Sequence, residues 1–225
     1  LDQIGNDIGN DTPNRVTGRD LYTRPGAEED RRNGFLTVTD TNTVHVQDQD
    51  ILRLSTITVN GNAILESDAL LIAEEPVTIG GNLLLNSNRG DIRQANDAPI
   101  VVQGTTNLKS NDRITPDPSL DEYDRPRIWL DFGDGDGDGL NDNDFVGMVT
   151  VEDGSDVEIR DKNDILLGDI TTDFNRFTQL NQIYIEAENG TITMDGTIIA
   201  RGNDVNDDNP NTFEAIGKVF LRASD

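Results

Sequence analysis

Short apolar runs, most of them three to five residues long, recur along the whole chain, and glycine, asparagine or aspartate occupies nearly every gap. Examples are Thr43–Val46, Val77–Ile79, Leu83–Leu85, Ile183–Ile185 and Lys218–Leu221. No segment longer than about 12 residues keeps apolar residues at the helical spacing of i, i+3, i+4 and i+7. Runs of this length between turn residues predict β-strands. Because such short strands bury little surface alone, they must stack on one another.

An internal repeat supplies the period of that stacking. Three segments align with one another: Val59–Asp68, Ile79–Asn88 and Val102–Asn111. Two sets of residues recur in them at spacings of 20 and 23, namely Gly61, Gly81 and Gly104, and Leu65, Leu85 and Leu108. Such a period is typical of one solenoid coil, and glycine at the corners is expected to supply φ > 0. The pattern favours an all-β parallel β-helix, with a two-sheet β-sandwich as the alternative.

The second half of the chain carries the best match to a known coil pattern. The matching runs are Val149–Ile159, Asp164–Ile170, Ile183–Ile185, Gly190–Thr193 and Gly196–Ala200. They resemble the degenerate coils of filamentous-haemagglutinin-like bacterial surface proteins, and the resemblance extends over residues 51–110 and 145–225. It implies a right-handed parallel β-helix that is exported from the cell and serves as a structural or adhesive fibre.

Composition and charge narrow the class of partner. Asp and Glu number 43 against 18 Lys and Arg, so the net charge is −25, which argues against binding nucleic acid or an anionic membrane. The chain has no cysteine and one histidine, His45, which excludes disulfides, zinc–thiolate sites and multi-histidine metal sites. No apolar run approaches the ~18 residues of a membrane span. We therefore expect no membrane insertion and an extracellular location.

Three polar stretches interrupt the coils of what the pattern predicts to be a single β-helix unit over residues 1–225. These stretches are 11–34, 111–144 and 202–217. Insertions in a solenoid emerge as loops, and such loops often carry the binding residues.

The middle insertion contains an aspartate-rich run that fits a twelve-residue calcium loop. Asp134, Asp136 and Asp138 take positions 1, 3 and 5, Gly139 takes the turn at position 6, Leu140 offers its carbonyl at position 7, and Asp142 takes position 9. Position 12 is Phe145 in place of the usual acid, so Asp144 or Asp131 is the candidate replacement. The run resembles the short repeats of thrombospondin type 3 and dockerin modules, which implies calcium as the bound ion. The alternative is a solvated acidic loop, but calcium is favoured because it relieves the repulsion among crowded carboxylates.

A second, weaker calcium pattern lies in the last insertion. Asp204, Asn206 and Asp208 again place oxygen ligands at positions 1, 3 and 5, but Asn209 replaces the glycine. A merely polar loop is equally consistent with this run. The tripeptide Arg89-Gly90-Asp91 matches an integrin-binding motif, yet a coil corner uses the same residue types, and the corner is the favoured interpretation.

The two ends of the sequence read as consecutive parts of a coil. Lys218–Asp225 is strand-like, and Leu1–Asn10 resembles the corner that would follow such a strand. An uncapped solenoid exposes strand edges that invite pairing. We therefore expect the unit to bind itself head to tail, either as tandem repeats of a longer chain or as a polymer of processed subunits.

The function that the sequence favours is a structural or adhesive fibre, not an enzyme. A polysaccharide lyase or hydrolase is less favoured, because lysine is scarce and the acids concentrate in loops. A surface module that binds a host or matrix glycan or protein is the other alternative, with Tyr123 and Trp129 as an aromatic platform. For Trp129, packing of the insertion onto the coils is the favoured interpretation.

Overall fold

The computed structural model describes residues 14–18, 35–48, 51–67, 71–88, 90–95, 98–111, 127–130, 142–172, 182–200 and 218–223. Every regular element in these ranges is a β-strand. The strands are β1 (Asn14–Gly18), β2 (Leu36–Thr41), β3 (Val44–Asp48), β4 (Leu52–Val59), β5 (Ala63–Ser67), β6 (Leu71–Ala73), β7 (Val77–Ile79), β8 (Leu83–Ser87), β9 (Ile92–Gln94), β10 (Ile100–Val102), β11 (Thr106–Ser110), β12 (Ile128–Leu130), β13 (Asp144–Phe145), β14 (Met148–Asp153), β15 (Val157–Asp161), β16 (Ile165–Thr172), β17 (Gln182–Ala187), β18 (Ile192–Met194), β19 (Ile198–Ala200) and β20 (Lys218–Ala223). Because none of these elements is a helix, no helix in the described ranges could cross a membrane.

The strands form two parallel sheets. Sheet A has the order β1-β3-β5-β8-β11-β14-β16-β18, and β19 also pairs with β16. Sheet B has the order β13-β10-β7-β4-β6-β9-β12-β15-β17-β20, and β2 also pairs with β4. The long strand β4 joins two parts of sheet B, since Leu52–Leu54 pairs with β6 and Ile57–Val59 pairs with β7. One turn of the chain, such as β5–β6–β7, therefore contributes three strand segments.

The register places apolar side chains above one another in the core. One column of buried side chains joins Val46, Leu65, Leu85, Leu108 and Val151. Three of these are the leucines of the sequence repeat, so the period of about 20 residues is confirmed as the spacing of paired strands. Burial alternates along the strands, with β3, β5, β8 and β11 all buried at every second residue, as expected when one face packs into the core.

The corner glycines are needed for a reason other than the predicted one. Gly61, Gly81 and Gly104 do not have φ in the left-handed region. Each instead lies so close to the adjacent turn that a Cβ would meet backbone; at Gly81 it would lie 2.7 Å from the carbonyl carbon of Gly61. The prediction of φ > 0 was wrong, because close stacking of successive corners, not a tight turn, excludes a side chain.

The described strands confirm the predicted all-β class. Their parallel pairing follows the order that is expected for stacked coils in a parallel β-helix. The described strands make no antiparallel pairing of the kind that a sandwich built from hairpins would use. The right-handed turn stays a prediction. Strand β1 lies within the range 11–34, which the sequence predicts as an insertion. Strand β12 lies within 111–144 and coincides with the short apolar run Arg127–Leu130, which the pattern predicts as a strand inside that polar stretch.

Candidate functional site

The last turn of the described chain exposes side chains at core positions. This terminal coil comprises β18, β19 and β20. In sheet B, Val219 pairs with Ile183, and Leu221 pairs with Ile185. Both isoleucines are 0% exposed, whereas Val219 is 44% and Leu221 is 45% exposed. The core column therefore reaches the surface at β20.

Sheet A ends in the same way. Met194 pairs with Leu167, which is fully buried, yet Met194 itself is 43% exposed. Within the described ranges, β20 pairs with β17 on one edge and with no strand on its other edge. An unpaired strand edge beside exposed apolar side chains is a template for one more parallel strand. The terminal coil is thus suited to binding a further coil.

A second candidate site lies where the aspartate-rich loop returns to the coils. Asp142 and Asp144 are the predicted calcium ligands that the structure describes. The other candidate ligands lie outside the described residues. In the main loop these are Asp131, Asp134, Asp136, Asp138 and Leu140. In the weaker site they are Asp204, Asn206 and Asp208. Asp142 is buried, and Asp144 is half-buried at the start of β13.

Asn143 fixes the backbone between these two aspartates. Its Nδ2 donates to Gln94 Oε1 at 3.0 Å and to the carbonyl of Leu130 at 2.9 Å. Its Oδ1 accepts from Gln94 Nε2 at 2.7 Å and from the amide of Ile100 at 2.8 Å. The side chain is buried, and the low local dielectric makes these bonds costly to lose. The position of the loop exit is therefore set from inside the core.

The charge of Asp142 acts on a second carboxyl group, that of Glu188, from another coil. Burial raises the pKa of Glu188 most, and the charges of Asp142 and Glu186 raise it further. Arg160 lowers it, with its Nε 3.4 Å from Glu188 Oε1. Two carboxylates that interact in this way repel, and a bound cation would reduce the repulsion. Glu188 follows β17 and is far from the aspartate-rich run in sequence.

A third buried acid supports the same segment. Asp161 accepts hydrogen bonds from the amides of Phe145 at 2.6 Å and Asn163 at 2.7 Å. Burial raises the pKa of Asp161 to about 6, against the lowering effect of these two bonds, and the charge of Asp144 raises it further. Lys162 opposes this increase and lies 3.0 Å from Asp144, measured from Nζ to Oδ2.

No group of three or more His, Asp or Glu side chains in the described ranges is arranged to hold a metal ion. The acids at the loop exit therefore do not form a complete calcium site by themselves. A site at this corner would require carboxylates from the run Asp131–Asp138, which lies outside the described residues.

A third feature is a row of outward-facing residues on sheet B, which we call the outer ladder. Its members pair in register from one strand to the next: Arg93, Trp129, Glu158, Tyr184 and Phe220. Three of them are aromatic, and Trp129 and Tyr184 are half-buried while Phe220 is exposed.

Two arginines hold the Trp129 ring. The guanidinium carbon of Arg127 lies 3.9 Å from the ring centroid, and that of Arg93 lies 5.3 Å away. Both arginines form ion pairs with Asp91, which is fully buried; Arg127 Nη2 lies 3.0 Å from Asp91 Oδ2. The same burial makes the aspartate of the Arg-Gly-Asp tripeptide unsuited to integrin binding. The contacts of the two arginines with the Trp129 ring also agree with packing as one role of Trp129.

The sequence missed Glu188, Asn143 and Asp91 as parts of these sites. Each acts on residues that are distant in sequence, and nothing in a single sequence marks such pairs. Comparisons with known proteins add no further assignment, because no protein family, curated protein or solved structure matches the chain.

Proposed function

We propose that the chain is a structural segment of an extracellular bacterial filament or surface fibre, in which units stack end to end through their coils. The observation that carries this proposal is the exposure of Val219 and Leu221 at positions where the preceding strand is fully buried. Burying the part of each side chain that is still exposed contributes roughly 1 kcal/mol, and the edge of β20 that pairs with no described strand adds hydrogen bonds. The extracellular bacterial location follows from the resemblance to filamentous-haemagglutinin-like coils.

The partner in this proposal is a second copy of the unit, joined head to tail. Units with a net charge of −25 repel one another side by side, whereas an end-on contact uses apolar side chains and backbone groups. Head-to-tail contacts are heterologous and generate open filaments when the rotation does not close. If the units are tandem repeats of one long chain, the same contact would form between units that are already covalently linked.

Calcium is the proposed stabilising ion. The spacing of Asp134, Asp136 and Asp138 supports an oxygen-ligand loop, and the charge interaction of Asp142 with Glu188 adds an acid from another coil near the end of that loop. A bound cation would reduce the repulsion between these two carboxyl groups and so tie the loop to β17. Extracellular calcium modules bind with Kd of about 10⁻⁴–10⁻³ M, which fits an external location.

The stacking contact is tested by adding charge at the exposed core positions. In the variant Val219→Asp/Leu221→Asp, we expect loss of assembly with an unchanged fold, because both side chains are already exposed. The matched control is Ile64→Asp/Leu84→Asp, which adds the same charge to the outer face of β5 and β8. Sedimentation velocity in calcium should show growing oligomers for the wild type and the control, and a monomer for the edge variant. Equal assembly of the edge variant and the wild type would refute the proposed contact.

A further inference from the structure

The outer ladder of sheet B has the geometry of a binding platform along the stacking axis. Trp129, Tyr184 and Phe220 lie within four consecutive strands, β12, β15, β17 and β20, with Glu158 on the strand between the first two. Adjacent strands are about 4.8 Å apart, so the three rings span roughly 14 Å. Three of the five aromatic side chains described by the structure are in this row; the other two are Phe35 and Phe145.

The rings are held in place before any ligand arrives. Asp91 fixes the arginines that contact Trp129, and the hydroxyl of Tyr184 donates to Glu186 Oε2 at 2.8 Å. Arg222 Nη1 lies 3.1 Å from Glu186 Oε1, beside the Tyr184 hydroxyl. Side chains that are already ordered lose little entropy on binding. The Trp129 Nε1 atom is covered and makes no hydrogen bond within the described part of the chain, so this residue offers its ring rather than a donor.

The charges around the ladder select the class of ligand. Arg93 and Arg127 are paired with Asp91, Arg222 with Glu186, and Arg160 with both Glu186 and Glu188. With Glu158, which lies in the ladder itself, four acids balance these four arginines. The side chains of these ion pairs can still donate hydrogen bonds to hydroxyl groups and accept hydrogen bonds from them. Together they leave little local excess of positive charge. The whole chain, at −25, repels polyanions. The net charge therefore disfavours a nucleic acid or an acidic polysaccharide as the ligand. It does not oppose the binding of a neutral polymer that is rich in hydroxyl groups.

We propose that the outer ladder binds a neutral linear polysaccharide, with the sugar chain running across successive strands over Trp129 and Tyr184. The apolar faces of sugar rings pack on the aromatic rings, because these carry large rigid surfaces with polar groups at their edges. The ion pairs of Arg160 and Arg222 with Glu186 provide donors and acceptors for the sugar hydroxyls. This proposal goes beyond the structural role, and it does not depend on end-to-end stacking, because Trp129 and Tyr184 lie in coils before the terminal one.

Affinity electrophoresis of the full chain in gels that contain hydroxyethyl cellulose, mannan or soluble starch tests the proposal. We expect at least one of these neutral polymers to retard the wild type, and Trp129→Ala or Tyr184→Ala to weaken binding by roughly tenfold. Tyr184→Phe keeps the ring and should bind much more tightly than Tyr184→Ala. Leu84→Ala, on the outer face of sheet A, is the control and should bind as the wild type does.

The competing outcomes are distinct. No retardation of the wild type by any of the three polymers would overturn the proposal, and so would unchanged binding of a Trp129→Ala/Tyr184→Ala double variant that retains the wild-type circular dichroism spectrum. Retardation only by alginate or heparin, lost on adding salt, would instead indicate an anionic ligand and would also overturn it. If Trp129→Ala fails to fold, Tyr184→Ala compared with Tyr184→Phe gives the same test.

Discussion

Val219 and Ile183 occupy equivalent positions in neighbouring strands, yet Ile183 is fully buried and Val219 is 44% exposed. The difference arises because Ile183 has a coil on each side, whereas Val219 has a described coil on one side. The same contrast separates Leu167 from Met194 in sheet A. Within the described residues, the column of buried side chains is therefore incomplete at β20 and at β18, and this exposure is the observation from which we propose end-to-end stacking.

Replacing a corner glycine should destabilise the coil stack. At Gly81, an alanine Cβ would lie 2.7 Å from the carbonyl carbon and 2.9 Å from the carbonyl oxygen of Gly61. Because the neighbour is backbone, it cannot rotate away, and we expect Gly81→Ala to lower the free energy of unfolding by about 1–3 kcal/mol. Chemical denaturation measures this change. The control Thr78→Ala, at an exposed position, should stay within about 0.5 kcal/mol of the wild type, and an equal effect of both variants would contradict the close-contact explanation.

The Asn143 side chain should be among the most sensitive polar positions. Asn143→Ala would leave the Gln94 side chain, the Leu130 carbonyl and the Ile100 amide without these partners in the core. Each buried polar group that loses its partner costs about 1–3 kcal/mol, so we expect a total loss of roughly 3 kcal/mol or more in unfolding free energy. Asn107→Ala, which removes an exposed bond to Glu152, is the matched control. A loss below about 1 kcal/mol at Asn143 would show that water replaces the network.

The sequence predicts the repetitive part of the fold well and the polar contacts between coils poorly. Leu65, Leu85 and Leu108 are found in register because an apolar residue recurs with the coil period. Strand β9 is missed because Gln94 occupies a core position, where a polar residue argues against a strand. Gln94 is tolerated there because Asn143 bonds to it from 49 residues away, and that partner is invisible in the local pattern.

The predicted calcium loop shows the same difference between local patterns, which the sequence reveals, and interactions between coils, which it does not. Its ligand spacing is local and can be read from the sequence, whereas the charge interaction of Asp142 with Glu188 depends on how two coils stack. The corner glycines show that a sequence pattern can be predicted correctly while its physical cause is not. Their spacing was predicted correctly, but the reason for glycine, the approach of an adjacent corner, exists only once the coils are stacked.

The buried carboxyl group of Asp161 should make stability depend on pH. Its pKa is about 6 in the folded chain and 3.8 as an unperturbed group, so the folded state binds this proton more tightly. The contribution of Asp161 to stability is therefore fully present below pH ~4 and is lost as the pH rises through ~6, with a size of roughly 2–3 kcal/mol. Urea unfolding of the wild type and Asp161→Asn between these pH values measures the difference. A difference that does not vary with pH would contradict the assigned pKa.

Calcium should raise the unfolding temperature, because an ion bound to the folded state alone adds RT ln(1 + [Ca²⁺]/Kd) to its stability. We expect this increase to disappear in Asp134→Asn/Asp136→Asn/Asp138→Asn and to shrink in Glu188→Gln. A charge-matched control is Asp112→Asn/Asp117→Asn/Asp121→Asn, which removes three acids from the same polar stretch but outside the calcium-loop pattern. If calcium stabilises the two triple variants equally, general charge screening and not a specific site is responsible.

Electron microscopy of the wild-type chain in calcium is the most direct test of end-to-end stacking. In the described ranges, sheet A contains eight successive strand levels, so these coils should add about 38 Å along the axis at ~4.8 Å per level. We predict unbranched rods of variable length with an axial repeat near this value, which lengthen as the protein concentration rises. Isolated particles one unit long at every concentration would contradict the proposal.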